Sequence, residues 1–371
     1  MAERVLVTGG AGFIGRAVTA ELLARGNSVR VLDSLIEQVH GDRQRPDDLS
    51  ADAELIVGDI RNRDVVDRAL KDVDSVIHLA AEVGVGQSMY AVERYTSVNE
   101  TGSAVLFEAL IGQPVRRVVT ASSMSIYGEG LYEDADGRVV QDAERQPRAA
   151  GAQSWDPLDA QGRPLSPIAT PEWKQPSLAS IYALGKYVQE RQTLIMTQAY
   201  GMEGTCLRLF NVYGPGQALS NPYTGVLAIF SSRLLNGQRP MIFEDGEQRR
   251  DFVYVGDVAR AFCDALTHPE APGQVFNIGS GVDRSVRQVA RSIARALHRN
   301  DLEPEIAGKA RVGDIRHCFC DGSKAADVLG FRAGKDFDEG LAELAEWVAE
   351  QSADDRVDEA RAELEAKGLV A

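Results

Sequence analysis

The chain has 371 residues, a length that predicts two domains and a sizeable core. Its 40 Lys and Arg against 55 Asp and Glu give a formal net charge of −15 with no clustered basic stripe, which argues against nucleic-acid binding. No uncharged apolar run approaches the roughly 18 residues of a membrane span and no signal-peptide pattern is present, so we expect a cytoplasmic protein that contacts no membrane.

Short apolar runs alternate with helical stretches through the first half of the chain. The predicted strands are Arg4–Thr8, Ser28–Asp33, Ala53–Gly58, Ser75–Leu79, Arg117–Ser122 and, later, Thr205–Phe210. Alternation of this kind predicts a parallel sheet with crossover helices. The strands are apolar on both faces, so we expect helices on both sides of the sheet.

A glycine-rich turn follows the first predicted strand and opens an amphipathic helix. Gly9 permits the tight turn, Gly12 lets the backbone approach a pyrophosphate, and Gly15 allows close packing of helix and sheet. Asp33 ends the second strand, 18 residues after Gly15, where its carboxylate can accept the ribose hydroxyl protons of NAD and repel the 2′-phosphate of NADP. We therefore predict an α/β protein with a Rossmann doubly wound parallel sheet that binds NAD.

Asp59 follows the third strand, where it is placed to meet the adenine amino group. The alternative, that Asp59 is a solvated turn residue, stays open. The four cysteines have no paired CxxC spacing, so we expect free thiols and no metal site.

The fifth strand ends in hydroxyl residues, Ser122 and Ser123, at the edge where parallel sheets build their sites. Residues 128–181 then hold six of the chain's 14 prolines and predict a long irregular excursion. After it, Tyr182 and Lys186 stand at i and i+4 of a predicted helix, where the ammonium favours the phenolate. Such a pair also arises by chance on a solvent-facing helix.

After Tyr213, turn-rich segments alternate with amphipathic helices at Gly225–Leu235 and Ser285–Leu297, which indicates a smaller α/β substrate-binding domain. We predict an NAD-binding domain over residues 1–212, to which 251–275 return, and a substrate-binding domain over 213–250 and 276–350. Residues 351–371 carry nine charges and predict a solvated terminal helix.

Over residues 4–350, these motifs in this order resemble the extended short-chain dehydrogenase/reductase family, in its NAD-dependent nucleotide-sugar epimerase/dehydratase branch. The resemblance implies that Ser123, Tyr182 and Lys186 are catalytic, with Ser122 as a second donor. Asn99 would support the site, Leu79 to Ala81 would form an apolar wall, and Phe210 would line the nicotinamide. The implied cofactor-binding residues are Gly9, Gly12, Phe13, Ile14, Gly15, Asp33, Asp59, Ile60, Leu79, Ala80, Ala81, Asn99, Ser122, Tyr182, Lys186 and Phe210.

A nucleotide-diphospho-sugar is the implied substrate. The residues that match the family's substrate-binding positions are Ser123, Asn211, Arg250, Arg311 and Asp314. The two guanidinium groups suit a diphosphate, and Asp314 suits a nucleotide ribose.

The residues after Ser123 favour one reaction within this branch. Its 4,6-dehydratases carry Asp-Glu there and its decarboxylases tend to carry Glu, whereas this chain has Met124 and Ser125. The resemblance therefore favours an epimerase, in which Tyr182 takes the C4 hydroxyl proton as hydride passes to a retained NAD. The resulting 4-keto sugar turns over and is reduced on its other face.

The sugar itself is less well specified. Residues 123–128, the proline-rich insert, and residues 219–226 and 311–317 look most like epimerases that act on dTDP-L-rhamnose. UDP-glucose, UDP-glucuronate and UDP-N-acetylglucosamine stay open, because loops set sugar choice.

Two functions of other classes also stay open: a non-catalytic NAD-binding protein, which the intact Ser123, Tyr182 and Lys186 set disfavours, and a sugar dehydrogenase or reductase with exchangeable cofactor. The resemblance further implies a homodimer with a four-helix interface through Asn99–Ile111 and Ser180–Tyr200.

Overall fold

A computed structural model describes residues 2–41, 43–145, 155–219, 225–310, 314–351 and 357–370. Its strands are β1 (Arg4–Thr8), β2 (Ser28–Asp33), β3 (Glu54–Val57), β4 (Ser75–His78), β5 (Arg117–Ser123), β6 (Leu131–Glu133), β7 (Val139–Val140), β8 (Ser166–Ile168), β9 (Glu203–Leu209), β10 (Asn211–Tyr213), β11 (Met241–Ile242), β12 (Arg249–Tyr254), β13 (Val275–Ile278), β14 (Asp283–Ser285), β15 (Glu305–Ile306) and β16 (His317–Cys318).

Thirteen α-helices connect these strands in the described part of the chain. They are α1 (Phe13–Ala24), α2 (Glu37–His40), α3 (Arg63–Leu70), α4 (Val85–Ser88), α5 (Val92–Thr96), α6 (Gly102–Gly112), α7 (Ile181–Ala199), α8 (Val226–Leu235), α9 (Val255–Thr267), α10 (Val286–Ala296), α11 (Ser323–Leu329), α12 (Phe337–Ala349) and α13 (Val357–Ala366). Within the same residues, no helix is long and apolar enough to cross a membrane.

Seven parallel strands form the main sheet in the order β13-β9-β5-β4-β1-β2-β3. Helices α1 and α9 share one buried apolar cluster with the sheet, and α3 and α6 share another. The predicted doubly wound α/β fold is confirmed. All six predicted strands are present, with ends that differ by two residues at most.

The edge strand β13 corrects one predicted domain boundary. Its residues Val275–Ile278 pair in parallel with β9, so the chain that returns to the main sheet continues to Ile278 rather than stopping at residue 275. Phe276 and Ile278 are buried in the same cluster as α1 and α9, which fixes this strand by apolar packing.

A smaller layer lies beyond the carboxyl end of the main sheet. Strands β10, β12, β14 and β16 form a four-stranded mixed sheet. Helices α8, α10 and α12 share a buried apolar cluster that is separate from the two clusters of the main sheet. A capping box from Ser285 and Gln288 begins α10. The two predicted amphipathic helices correspond to α8 and α10.

The proline-rich insert has structure of its own. Its strands β7, β6 and β8 form an antiparallel sheet, which corrects the prediction of an irregular excursion. Residues 146–154 of the insert lie outside the described residues.

The terminal helix α13 is shorter than the predicted charged segment, and one of its side chains is buried. Leu364 is 6% exposed and packs near Gly86, while Glu363 accepts a hydrogen bond from Tyr90. The four cysteines are buried free thiols.

Candidate active site

The glycines of the first turn let the backbone segments around the start of α1 pack closely together. Gly9 has φ +68°, and a Cβ there would lie 2.8 Å from Ala80 N. A Cβ on Gly15 would collide with the carbonyl oxygen of Gly9. Gly12 is the N-cap of α1 and supplies no side-chain cap. The first-turn N–H groups therefore suit a pyrophosphate, and the cradle fits NAD.

Asp33 is held at the end of β2 by backbone donors. Its Oδ2 accepts from Ala11 N at 3.0 Å and its Oδ1 from Leu35 N at 2.9 Å. His40 Nε2 lies 3.7 Å from Oδ1, but burial lowers the His40 pKa and so favours its neutral form. Arg16, the nearby cation, forms an ion pair with Asp48 at 2.9 Å. A carboxylate fixed in this way suits a ribose diol.

Asp59 pairs with a neighbouring arginine in the structure. Arg61 donates to both of its carboxylate oxygens, at 2.9 and 2.6 Å, and this pairing lowers the Asp59 pKa. Arg61 also donates to Ser97 Oγ at 2.9 Å. Contact between Asp59 and adenine stays a prediction.

The structure brings Ser123 and Tyr182 together where β5 meets the start of α7. Burial raises the Tyr182 pKa, and a hydrogen bond with Ser123 works against that rise. Lys186, one turn later, is 4% exposed, and desolvation lowers its pKa to about 7. The buried phenol thus has a hydroxyl as its hydrogen-bond partner and a buried lysine one helical turn away, the residue types needed for proton transfer at a sugar hydroxyl.

Asn99 supports this site through the backbone rather than by reaching into it. It lies in a π-helical turn between α5 and α6, where its side chain accepts from Glu82 N at 2.7 Å and donates to Glu82 O at 3.1 Å. Asn99 thereby fixes the chain just after Leu79, Ala80 and Ala81, which follow β4. A Cβ on Gly185 would lie 3.2 Å from Asn99 Cβ, so this glycine lets α7 approach closely.

The hydroxyl of Ser122 is bound within the protein interior. Its hydroxyl donates to Glu190 Oε2 at 2.8 Å, and Glu190 is paired with Arg208 at 2.7 Å in the same buried interface. The hydroxyl of Ser122 is thus engaged by Glu190, and its role as a second donor stays a prediction. The sequence did not predict the contact between Ser122 and Glu190, because these residues and Arg208 are distant along the chain and meet only in the folded protein.

Two predicted apolar residues occupy different parts of the core. Phe210, 3% exposed, packs with Met124 and Tyr127 on the turn after Ser123, while Ile60 packs among the residues of α3 and α6. Phe210 therefore lies beside the carboxyl end of β5, the strand that ends in Ser123. Phe13 and Ile14 are half-buried at the opening of α1.

The insert packs against the turn that follows Ser123. The ammonium of Lys174, 2% exposed, donates to Tyr127 O at 2.7 Å, and Ser177 N donates to Ile126 O at 2.9 Å. Lys174 is a residue that sequence reasoning missed, since a charged residue in a proline-rich segment carries no burial signal.

The predicted substrate side lies at β10, β12 and the chain before β16. Asn211 Oδ1 is buried and has no hydrogen-bond partner among the described residues, so its side chain has unused capacity for a ligand. Arg250 donates to the carbonyl oxygens of Ile315 and Arg316, next to Asp314, which is half-buried. Arg311 lies outside the described residues.

Comparison with known proteins gives consistent matches along this chain. The model of the NAD dependent epimerase/dehydratase family matches residues 5–149 and 162–279. A dTDP-L-rhamnose 4-epimerase of Burkholderia thailandensis is 37% identical over 353 residues, covering 94% of this chain and 96% of that protein. A UDP-glucose 4-epimerase of Mycolicibacterium smegmatis is 34% identical over 357 residues, covering 94% and 99%.

Among solved structures, the UDP-glucose 4-epimerase of Thermus thermophilus in complex with NAD superposes with a TM-score of 0.74 at 30% identity. The match covers 94% of this chain and 100% of that one.

Proposed function

The chain belongs to the NAD-dependent epimerase/dehydratase family, and from that premise we propose that it inverts C4 of a nucleotide-diphospho-sugar, with dTDP-L-rhamnose as the substrate. The predicted resemblance and NAD dependence are confirmed by this membership, and the chain is an enzyme of the nucleotide-sugar 4-epimerase type.

One observation carries the choice of reaction. Met124 follows Ser123 and is 6% exposed, with its side chain packed among Ile126 and Tyr127. Ser125 N donates to Ser123 Oγ at 3.1 Å. The two positions after the catalytic hydroxyl therefore present a buried thioether and a neutral residue, not the acid and base that elimination of water requires. Inversion needs neither.

The described side chains supply the proton chemistry of inversion. NAD, when bound, supplies a reversible oxidant at the sugar carbon. Tyr182 accepts the proton of the C4 hydroxyl, while Ser123 donates a hydrogen bond that orients this oxygen. The Lys186 cation favours the phenolate of Tyr182. The same phenol returns the proton once the other face of the sugar is presented, so no additional acid or base is consumed.

Substrate choice rests on the relative that acts on dTDP-L-rhamnose, at 37% identity over nearly the whole of both chains. The UDP-glucose 4-epimerase relative, at 34% identity, makes UDP-glucose the second candidate. UDP-glucuronate and UDP-N-acetylglucosamine share the same mechanism and belong in the same test.

The experiment incubates the purified protein with each nucleotide sugar without added NAD and identifies the products by mass and by chromatography against C4 epimers. We expect dTDP-L-rhamnose to reach an equilibrium with its epimer, with unchanged mass. Stripping NAD should abolish turnover and adding NAD should restore it. A product lighter by water or carbon dioxide would contradict the proposed reaction. Turnover of UDP-glucose alone would keep the reaction but make UDP-glucose the substrate in place of dTDP-L-rhamnose.

We also propose a homodimer that pairs α6 and α7 with their copies. Ile111, Leu184 and Ile195 on these helices are 43%, 39% and 54% exposed, so both helices present aliphatic side chains that a second copy would cover. Light scattering should give twice the chain mass, and Ile195→Glu should give a monomer. A monomeric parent protein would refute the interface.

A further inference from the structure

The ammonium of Lys186 is held from inside the protein by a residue that the reaction described above does not use. Lys186 Nζ donates to Gln189 Oε1 at 2.8 Å, and Gln189 is 1% exposed. We infer that Gln189 is a positioning residue, whose side-chain amide fixes the Lys186 ammonium against Tyr182. This inference deepens the proposed function and rests on it for the catalytic role of Lys186.

The surroundings of Gln189 determine which way its amide points. Its Nε2 lies 2.9 Å from Ser103 Oγ, 3.2 Å from the carbonyl oxygen of Ala80 and 3.2 Å from His78 Nε2. A carbonyl oxygen can only accept, so the NH₂ side must face Ala80. The two amide hydrogens then have two acceptors, and Oε1 is left facing Lys186. A reversed amide would place two donors, the NH₂ group and the ammonium, against each other.

A buried histidine completes the network and fixes the hydroxyl of Ser103. Ser103 Oγ donates to Asn99 O at 2.6 Å, so it accepts from its other partners. His78 Nε2, 2.9 Å from Ser103 Oγ, is then the protonated ring nitrogen, and Nδ1 accepts from Thr8 Oγ1 at 2.7 Å. Each hydrogen has one acceptor, and the chain of bonds runs from β1 to the catalytic lysine.

This network keeps its charge state while the catalytic pair titrates. Burial lowers the His78 pKa to about 3, so the ring stays neutral. The other titratable group that acts on Lys186 electrostatically is the Cys206 thiol on β9, whose pKa burial raises well above its usual value, and Tyr182 lies one helical turn away on α7. Gln189 thus offers the ammonium a fixed neutral dipole in a site where desolvation disfavours the cation.

The position of Gln189 leaves Lys186 with two further N–H donors. An ammonium has three donors, and one is engaged by Gln189. The other two remain for the ribose hydroxyls that the predicted role of Lys186 requires. Without Gln189 the cation would lose an acceptor in a dry site, and the amine would become neutral at lower pH.

The test compares Gln189→Met, which keeps the side-chain length but removes the acceptor, with Gln192→Met on the same helix. Gln192 is half-buried and donates to Glu100 O. We expect Gln189→Met to lower kcat at least tenfold with little change in KM. The alkaline midpoint of the kcat profile should move down by about one pH unit, the size of a hydrogen bond to a charged group. Gln192→Met should match the parent protein.

A second variant shows whether the shift of the kcat profile depends on the orientation of the Gln189 amide. Ser103→Ala removes one acceptor that orients Gln189, so it should shift the midpoint in the same direction by less. In the double variant with Gln189→Met, Ser103→Ala should add nothing. Fully additive effects, or a Gln189→Met profile with the parent midpoint, would overturn the inference. Ser103→Ala keeps the inference testable if Gln189→Met does not fold.

Binding of NAD to stripped protein separates this inference from the proposed function, since it needs no sugar. Gln189→Met should weaken NAD about fivefold at pH 8, whereas Gln192→Met should leave it unchanged. If the parent protein inverts no nucleotide sugar but this loss is seen, the inference stands and the proposed function fails. Equal NAD affinity of the parent protein and Gln189→Met would overturn the inference.

Discussion

Asp33 combines a fixed position with a buried negative charge. Backbone donors from Ala11 and Leu35 hold both of its oxygens, and the nearest cation, Arg16, is engaged by Asp48 and by the carbonyl oxygens of Ala11 and Gly216. A 2′-phosphate at this place would meet a carboxylate whose neighbouring cation, Arg16, is already engaged. We therefore propose that Asp33 sets the selectivity between the two cofactors.

We expect stripped protein to bind NAD at least tenfold more tightly than NADP, which corresponds to about 1.4 kcal/mol. Asp33→Asn should narrow this ratio, because it removes the charge while keeping the shape. Calorimetric titration with both cofactors measures the ratio. Equal or tighter binding of NADP to the parent protein would refute the role of Asp33.

Tyr182→Phe removes the hydroxyl that we propose as the acceptor of the C4 hydroxyl proton, and it opens no cavity because the ring is kept. Loss of a positioned acid or base costs about 10² to 10⁴ in rate, so turnover should fall by that factor. NAD should still bind, since the ring is retained. Steady-state kinetics together with an NAD titration provides the check, and wild-type turnover by this variant would disprove the proposed role of Tyr182.

At the scale of elements, helix α7 combines catalytic and structural roles on one face. Tyr182, Lys186, Gln189 and Glu190 stand at i, i+4, i+7 and i+8, and all four are buried. The first two belong to the candidate site, and Glu190 joins α7 to β9 through Arg208. Displacement of this helix would therefore disturb stability and chemistry together.

Arg208→Met should leave the Glu190 carboxylate buried without its cation, and we expect the free energy of unfolding to fall by about 3–5 kcal/mol. The double variant Glu190→Leu/Arg208→Met should recover most of that loss, because neither charge remains. Urea unfolding measures all three proteins. The exposed Arg63, paired with Asp67, provides the control, since Arg63→Met should cost about 0.5 kcal/mol or less.

The periodicity of the sequence predicted the elements that local pattern controls. Strands β1 and β2 have the predicted bounds, since each is a β-branched run ended by a turn. The hydrogen-bond partner of the Ser122 hydroxyl and the burial of Lys174 could not be predicted from the sequence. Both depend on partners distant along the chain, and single-chain patterns carry no information on such pairs.

At the scale of the whole molecule, a buried charge cluster joins the insert to the substrate side. Arg316, 2% exposed, donates to Asp156 at 2.7 Å, to Glu244 at 2.9 Å and to Asp245 at 2.6 Å. A second guanidinium, Arg145, pairs with Glu244 and with the insert residue Glu129. Three segments far apart in the sequence meet there, which gives the insert a structural connection to the residues around Asp314.

Arg316→Met should cost about 3–5 kcal/mol of unfolding free energy, because Glu244 and Asp245 would lose a shared buried cation. Arg249→Met, which removes an exposed pair with Asp283, should cost less than about 1 kcal/mol. Chemical denaturation compares the two variants. Equal stability of both would show that the cluster does not hold the insert in place.

The arrangement of the chain segments within the molecule was only partly predictable from the sequence. The order of motifs predicted a Rossmann sheet with a smaller second layer, but the return of the chain extends to Ile278 because β13 pairs with β9. The cluster around Arg316 has no sequence signature, since surface ion pairs and buried ones use the same residue types.

The most direct test of the proposed inversion follows one hydrogen atom. A nucleotide sugar that the protein converts is prepared with deuterium at C4 and incubated in ordinary water without added NAD, and product is examined by mass spectrometry and NMR. The proposed mechanism predicts that the product keeps the deuterium at C4, because the hydrogen returns to the carbon that lost it. Replacement of the deuterium by solvent hydrogen would contradict inversion through a 4-keto sugar with a retained cofactor.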